Sequence, residues 1–399
     1  MIQITDKSKC CGCEACVQIC PKDCISFCQD KEGFFYPNVN VSECIRCGAC
    51  ERVCPAICQS EPSKPLYICA AKNPDESIRM ASSSGGIFTL LAEHFVNQNG
   101  VVFGAKFNEK WDVVHGYTET IEGIAEFRTS KYVQSRIGDS FCVARKFLKQ
   151  GRKVLFSGTP CQIAALKLFL HSDYENLLTV DVVCHGVPSP KVWRLYLKAI
   201  IKDSSLSLDN SVIEHITFRD KSSGWKNYSV SYFFSKVIKE GYSKRTLRSN
   251  VYREEPYMKS FLSNISVRPS CFHCPSKGGR SMADFTLGDF WGIDHQMSDF
   301  DDDKGVGMVL LNSQLAIKIF KELSIIEYEV SVESAFIYNS LYSRSVKLHP
   351  NRSKFFHKLD KDNVDIINVM NSLSQLPFRE KVWNKLRRYI NRVIKMFSE

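Results

Sequence analysis

The sequence predicts an α+β fold in three parts: a small cysteine-rich N-terminal domain, a larger α/β domain on a mixed sheet, and a helical C-terminal tail. Three observations predict it. Of the 18 cysteines thirteen lie at or before Cys69, a stretch with Pro62 and Pro65 interrupts the chain, and apolar runs of helical and strand-like period alternate beyond it. With 399 residues, 44% hydrophobic content and 24% charge, the chain is long and apolar enough for two or three domains. Disorder, collagen and a small disulfide scaffold are excluded. No run reaches the roughly 18 apolar residues of a membrane-spanning helix, and the N-terminus lacks the apolar stretch of a signal peptide, so a cytoplasmic location is expected. Cysteines crowded together in a reducing compartment point to metal rather than disulfides.

The first domain, residues 1–60, is legible from spacing. Cys10, Cys13, Cys16 and Cys20, followed by Pro21, spell C-x2-C-x2-C-x3-C-P; Cys44, Cys47, Cys50 and Cys54, followed by Pro55, repeat it. Such spacing wraps a tight loop round a four-iron cubane, and the cysteine before the proline ligates the other cluster. The expected sets are therefore Cys10, Cys13 and Cys16 with Cys54, and Cys44, Cys47 and Cys50 with Cys20. Four-cysteine zinc sites usually pair two C-x2-C knuckles across a longer gap. Gly12 and Gly48 lie inside the loops, where a side chain would crowd the inorganic sulfur. A strand is expected at 33–37. Cys11, Cys24, Cys28, Cys58 and Cys69 fall outside the pattern and read as small packed hydrophobes. The segment resembles a bacterial two-cluster ferredoxin.

A formal charge of +10 raises nucleic acid or an acidic membrane surface as a partner. Each cluster, with a core of about +2 and four thiolates, lowers that sum by about two, to about +6 with two clusters and about +4 with three. No nucleic-acid recognition motif accompanies the charge, so no nucleic-acid partner is expected.

In the larger domain, residues 66–340, helical stretches at 87–95, 142–148, 163–170 and 192–201 alternate with strand-like runs at 101–107, 153–156 and 178–183. Segments 212–218 and 228–237 read as an antiparallel portion. Ser82-Ser83-Ser84-Gly85-Gly86 opens a helix, where hydroxyls and free amides suit either an anion such as a cofactor phosphate or an ordinary helix cap. Gly158-Thr159-Pro160-Cys161-Gln162 and Cys184-His185-Gly186-Val187-Pro188 each follow an apolar strand, where open α/β sheets bind ligands. Neither G-x-G-x-x-G nor G-x-x-x-x-G-K-[ST] occurs. A third C-x2-C pair, Cys271 and Cys274, precedes an expected strand at 283–287 and the turn at 288–292. Four thiolates for a third cluster become available if Cys161 and Cys184 join it; a site without Cys161, one using an N-terminal cysteine, and inert thiols are the alternatives. The acidic run Asp299–Asp303 reads as a solvated loop.

Taken with their order and spacing, SSSGG at 82–86, SGTPCQ at 157–162, CHGVPSP at 184–190 and CPSKGGRSMADFTLGDFWG at 274–292 resemble the coenzyme F420 hydrogenase/dehydrogenase beta-subunit family, in the form with an N-terminal two-cluster ferredoxin domain. The resemblance covers roughly residues 1–320. It implies FAD bound in the α/β domain beside the iron–sulfur clusters, and electron transfer with a two-electron partner that is a deazaflavin in the founding members. Related chains also occur near surface-polysaccharide genes, so a sugar-linked metabolite is equally open as substrate. The resemblance assigns flavin contact to Ser84, Gly85, Gly86, Thr89, Gly158, Thr159, Gln162, His185 and Gly186, and more weakly to Lys131, Tyr132 and Gln134 of SKYVQS. His185 is the candidate proton donor, an orienting hydrogen-bond role being its alternative. Clusters pass single electrons whereas organic substrates take or give a hydride, and a flavin joins the two regimes. The expected partners are a redox protein or ferredoxin and a small-molecule hydride acceptor or donor. A non-catalytic relay subunit and a zinc-stapled interaction protein are the competing functions.

The region 341–399 turns basic. Over 377–397, Val382, Trp383, Leu386, Tyr389, Ile390, Val393, Ile394 and Phe397 recur at helical spacing, with Arg379, Lys381, Lys385, Arg387, Arg388, Arg392 and Lys395 on the remaining face. A basic amphipathic helix of this kind is expected to dock on protein or to touch an anionic membrane peripherally.

Overall fold

The computed structural model describes residues 1–202, 211–239 and 242–376. Its thirteen strands, among the described residues, are β1 (Ile25–Gln29), β2 (Phe35–Val39), β3 (Tyr67–Lys72), β4 (Val101–Phe107), β5 (Val113–Thr118), β6 (Val154–Gly158), β7 (Leu177–Val182), β8 (Val212–Asp220), β9 (Ser229–Lys239), β10 (Tyr242–Val251), β11 (Phe285–Asp289), β12 (Gly307–Leu311) and β13 (Ile326–Glu329). Eight of them form the main sheet in the order β13-β3-β12-β11-β7-β6-β4-β5. The middle of that sheet, β11-β7-β6-β4, is parallel, and its flanks are antiparallel.

Alternation along the strands explains the two covered faces. On β6, Val154 and Phe156 pack under the helices Ser140–Lys149 and Pro160–Leu170, together with Cys11 and Cys13 of the N-terminal domain. Leu155 points the other way, into the layer made by Ile87–Val96 and Gln314–Lys321. A strand buried on both faces reads as a continuous apolar run, which is why 101–107 and the β6 and β7 runs are visible in sequence. Strands β3, β5, β12 and β13 go beyond the sequence expectation. Of these, β13 is exposed throughout and carries two glutamates, so apolar patterning does not mark it.

The antiparallel portion is a separate sheet, β10-β9-β8. Its core extends through the helices Pro190–Ile201, Pro256–Leu262, Arg352–Leu359 and Ile366–Leu373. The stretch 341–376 is thus no separate tail, because Phe355, Phe356, Ile366 and Met370 are buried against Val192, Tyr257 and Met258. The basic helix expected over 377–397 lies outside the described residues. The acidic run also differs from expectation: Asp302 pairs with buried Arg79, and Asp301 accepts from Lys226 Nζ at 2.5 Å. Among the described residues no helix is long and apolar enough to cross a membrane.

In the N-terminal domain β1 pairs antiparallel with β2, and Ile2, Cys16, Cys24, Ile25, Cys50 and Cys54 form its small core. The domain is locked to the larger one by polar contacts. Glu14, 4% exposed, takes Arg136 Nε at 2.5 Å and Nη2 at 3.0 Å and accepts the Ile137 amide. Gln18 Oε1 accepts the amides of Phe141 and Cys142, capping a helix of the other domain. Glu32 binds Arg352 through both oxygens.

Candidate redox site

The two cysteine motifs fold into groups that exchange one member. Cys10, Cys13, Cys16 and Cys54 are buried, and the Cys16 and Cys13 thiols are electrostatic neighbours of Cys54. Burial, reinforced by Cys10 and Cys54, pushes the Cys16 thiol well above its ordinary value. An iron core that accepts thiolates and releases their protons relieves both causes. Cys20, Cys44, Cys47 and Cys50 line one shallow recess in company with Cys24. Burial acts to raise the Cys20 thiol, yet the amides of Lys22 and Cys24 hold it below its ordinary value. Cys24 stands 3.4 Å from Cys20, closer to this group than a remote packing thiol would be. Cys28 is exposed, Cys58 donates to Glu51 O at 3.6 Å, and Cys69 is buried in β3.

Cys161, Cys184, Cys271 and Cys274 come together although they are spread over more than a hundred residues. Cys271 is the electrostatic neighbour of the other three, and burial pushes Cys184 up to about 12 and Cys274 up to about 11. Each is positioned by a different element. Cys161 sits in the first turn of Pro160–Leu170, where Thr159 and Gln162 form a capping box. Cys184 follows β7, while Cys271 lies in the tight turn Pro269–His273, which ends at Cys274. Gly186 has a φ of +148°, and a Cβ there would stand 2.7 Å from Val267 and 3.3 Å from Cys271 Cβ. The loop after β7 reaches Cys271 only because that side chain is missing. Lys277 Nζ donates to the carbonyls of Cys184 at 2.5 Å and Leu341 at 2.6 Å. Cys11, expected to be a bystander, is a hydrogen-bonding neighbour of both Cys13 and Cys161, so it stands between the N-terminal and C-terminal groups.

The donor sets fit iron–sulfur cubanes. Among the described residues no three His, Cys, Asp or Glu side chains converge on a single metal ion. Zinc, with Zn–S of about 2.3 Å, draws its thiolates to within about 4 Å of one another, whereas a cubane holds its ligands on four separate corners.

The residues assigned to flavin contact surround the carboxyl ends of β6, β7 and β11, and SKYVQS is the hub that joins them. Ser83 Oγ accepts the Ser130 amide at 2.7 Å, Gln162 Nε2 donates to Ser135 Oγ at 2.9 Å, and the Gln134 amide donates to Pro188 O at 3.1 Å. Tyr132 stacks on Phe261, which meets His185 edge to face. Several assigned groups are spent inside the protein. Ser84 Oγ donates to Val306 O at 2.7 Å, Thr89 Oγ1 accepts from Arg128 Nε at 3.2 Å, and Gln162 Oε1 accepts from Thr159 N and Oγ1. Gly85 lies against the backbone of Ala71 and Gly307, and Gly86 is the left-handed cap of Ile87–Val96. Gln134 turns away from the loops, donating to Cys11 O and accepting from Arg268. His185 gives its Nε2 proton to Asn264 Oδ1 at 2.6 Å, and burial holds its pKa down to about 4. At neutral pH it is neutral, and this hydrogen bond ties the loop after β7 to Asn264.

Unsatisfied polar groups stand beside these loops. His115 Nδ1 and Arg219 Nε are buried without a partner among the described residues, while His115 Nε2 meets Ser157 O at 3.1 Å and lies against Gly158. Burial pulls Lys131 down to about 7, and its Nζ reaches only the carbonyls of Arg128 and Thr129. The Lys131 and Arg219 donors fit an anionic group, whereas His115, kept neutral by burial with Nε2–H on Ser157 O, offers an acceptor at Nδ1. Arg219 also binds Asp289 through two bonds, Ser83 O and Tyr132 Oη, a set of contacts that sequence reasoning missed. The one available signal was its charge at the end of an apolar strand. A recess of about 680 Å³ lies elsewhere, among His94, Lys153, Glu175 and Glu322 at the opposite end of the sheet.

Thiol groups gathered by a small N-terminal domain and by the carboxyl edge of a mixed sheet define an iron–sulfur electron-transfer protein. Residues 151–332 match the family model for the C terminus of the coenzyme F420 hydrogenase/dehydrogenase beta subunit, and residues 37–56 match a 4Fe-4S binding domain. Over the first of these segments the chain is similar to the coenzyme F420 hydrogenase/dehydrogenase beta-subunit family. A similar solved structure is the xenon-derivatised F420-reducing [NiFe] hydrogenase complex from Methanosarcina barkeri, 14% identical, covering 79% of this chain and 91% of that one with a TM-score of 0.43. A comparison with curated proteins gave no match.

Proposed function

We propose that the chain is a cytoplasmic iron–sulfur flavoprotein oxidoreductase. Electrons pass between a redox partner protein, two ferredoxin-type clusters, a third cluster on Cys161, Cys184, Cys271 and Cys274, and FAD, which exchanges a hydride with an organic substrate. That substrate is a deazaflavin coenzyme or a metabolite, a step in surface-polysaccharide synthesis being one setting. The observation that carries the reading is the gathering of those four thiols between the first ferredoxin loop and the loops after β6 and β7. In this reading Lys131 and Arg219 hold the cofactor's phosphates, and the hub 130–135 orders the loops around it.

A non-catalytic relay is the second reading, favoured by one observation: the Ser84 and Thr89 hydroxyls and the Gln162 amide are already engaged by the protein itself. Anaerobic purification with iron, sulfide and flavin analysis separates the two. The oxidoreductase requires about twelve irons and one FAD per chain; about eight irons without flavin favours the relay. Zinc without sulfide rules out both.

A further inference from the structure

Four arginines are buried among the described residues: Arg79, Arg219, Arg268 and Arg352. Three have a carboxylate. Arg79 pairs with Asp302, Arg219 with Asp289 and Arg352 with Glu32. Arg268, 0% exposed, has none. Its guanidinium donates to Cys10 O at 2.8 Å, Gln134 Oε1 at 3.0 Å, Phe35 O at 2.9 Å and Cys10 Sγ at 3.5 Å. It also lies 4.3 Å from the Tyr36 ring and 5.4 Å from that of Phe34. The titratable groups around it include Cys10, Tyr36, Cys11, Cys271 and Cys161.

A guanidinium does not lose its proton in a protein, so it cannot escape burial by becoming neutral. Buried without an anion, it carries a large desolvation penalty. The groups able to supply that anion here are thiolates. Four thiolates on a core of about +2 carry a net charge of about −2, rising to about −3 on one-electron reduction. Arg268 sits at the inner side of the Cys10 loop and three residues before Cys271, facing both cysteine groups.

We propose that Arg268 is a positioning residue whose permanent charge is the counter-ion of the cluster held by Cys10, Cys13, Cys16 and Cys54, and that it raises that cluster's reduction potential above that of the outer one. The proposal rests on the reading that these four cysteines bind a four-iron cluster. The step it biases is a single electron arriving with no bond made or broken. Arg268 favours the more negative, reduced state by Coulomb attraction across a buried and weakly screened gap. Because its charge does not titrate, the bias needs no proton and is the same across neutral pH. Among the described residues the outer group has no buried guanidinium: Arg46 and Arg52 are exposed, Lys22 lines the recess, and the N-terminal ammonium near Cys44 and Cys50 is paired with Glu51 at 3.0 Å.

The test compares Arg268→Gln and Arg268→Lys with the unaltered chain, using iron and sulfide analysis and EPR-monitored redox titration at two pH values. The expected result is unchanged iron, a tenfold or greater loss in the reduction equilibrium of one cluster in Arg268→Gln, which is 59 mV for one electron, and an unmoved second wave. Arg268→Lys, which keeps the charge but not the fork, should restore most of the shift. Iron retained by Lys but lost by Gln also supports the proposal. Equal shifts in both variants, or iron lost from both, would mean that the fork's hydrogen bonds matter rather than its charge, and no shift in either would mean that neither sets the potential; each result would overturn the proposal. Absence of cluster iron from the unaltered chain would instead overturn the underlying reading. Eight irons in place of twelve would remove the third cluster and leave this measurement intact.

Discussion

The loops built on Cys10–Cys20 and Cys44–Cys54 share a pattern and a backbone. In the first, positive φ falls at Gly12 (72°) and Glu14 (61°); in the second, it falls at Arg46 (54°) and Gly48 (72°). The glycine has changed place, but the left-handed positions have not. Their surroundings are opposite. Gly12 is pressed against Gln134 and Arg268, and Glu14 is buried in a salt bridge, whereas Arg46 and Cys47 face solvent. Identical cysteine spacing is therefore found once in an inner loop sealed against the larger domain and once in an outer loop that faces solvent. The loop sequence shapes the metal-binding backbone, and whatever docks upon it decides the cluster's role in the relay.

Substitutions that treat the two loops alike or differently will sharpen or break this contrast. The largest effect is expected from Cys54→Ala. Cys54 belongs to the outer motif by sequence, but its thiol stands with the inner group, so its loss should remove about four irons from the inner site and loosen the docked loop. Cys47→Ala should strip the outer site and leave docking intact. Iron analysis combined with limited proteolysis distinguishes them; indistinguishable behaviour would disprove the exchange of ligands.

Gly12→Ala comes next. Its Cβ would stand 2.5 Å from Gln134 Nε2 and 2.9 Å from Arg268 Nη1. Overpacking together with left-handed strain should cost about 2–5 kcal/mol, read from anaerobic denaturation midpoints. Glu14→Ala should cost about 2–3 kcal/mol, since it strands the Ile137 amide and leaves half-exposed Arg136 without its partner. A loss below about half a kcal/mol would mean that the inner loop is not anchored there.

A smaller, pH-dependent effect is expected at Lys131, on the hub that grips the inner loop. Its folded pKa of about 7 lies below the usual 10.5, so the free site loses the proton as pH rises past 7. An anionic cofactor must then recover that proton, and flavin affinity should fall by up to tenfold per pH unit above about 7, or about 1.4 kcal/mol. Lys131→Gln should bind flavin more weakly at pH 6 and show no such slope; an identical slope in the variant would remove Lys131 from the site. The smallest effect belongs to Arg46→Gly, the outer counterpart of Gly12. Relief of left-handed strain should stabilise by no more than about 1 kcal/mol, with iron content unchanged.

Much of the fold is legible in the chain because its central strands are apolar on both sides and its helices carry one apolar stripe. One of the unseen elements fails on those same grounds. Strand β13 is exposed and lacks the mark, whereas β3 and β12 are short buried apolar runs of the same kind as β6, set apart from it by their antiparallel pairing. At the site, the loop motifs around Gly158 and His185 stand out as strand-end clusters. The engagement of Gln134, Gln162 and Thr89 in internal bonds does not, because an amide or hydroxyl in a sequence does not reveal whether its partner is a ligand or another loop. The same holds for SKYVQS, which looks peripheral in the chain and is the junction of all the loops.

Ligand spacing within one short loop is a local property, so the order of residues alone dictates the chemistry of this protein: cysteines spaced to embrace four-iron clusters. The sequence of the relay belongs to the tertiary structure. It buried one motif and exposed its twin, brought Cys161, Cys184, Cys271 and Cys274 together from distant elements, and placed Arg268 against Cys10 across 258 residues of chain. Local geometry follows from neighbouring residues, but electrostatic environment and proximity are set by what folds against them.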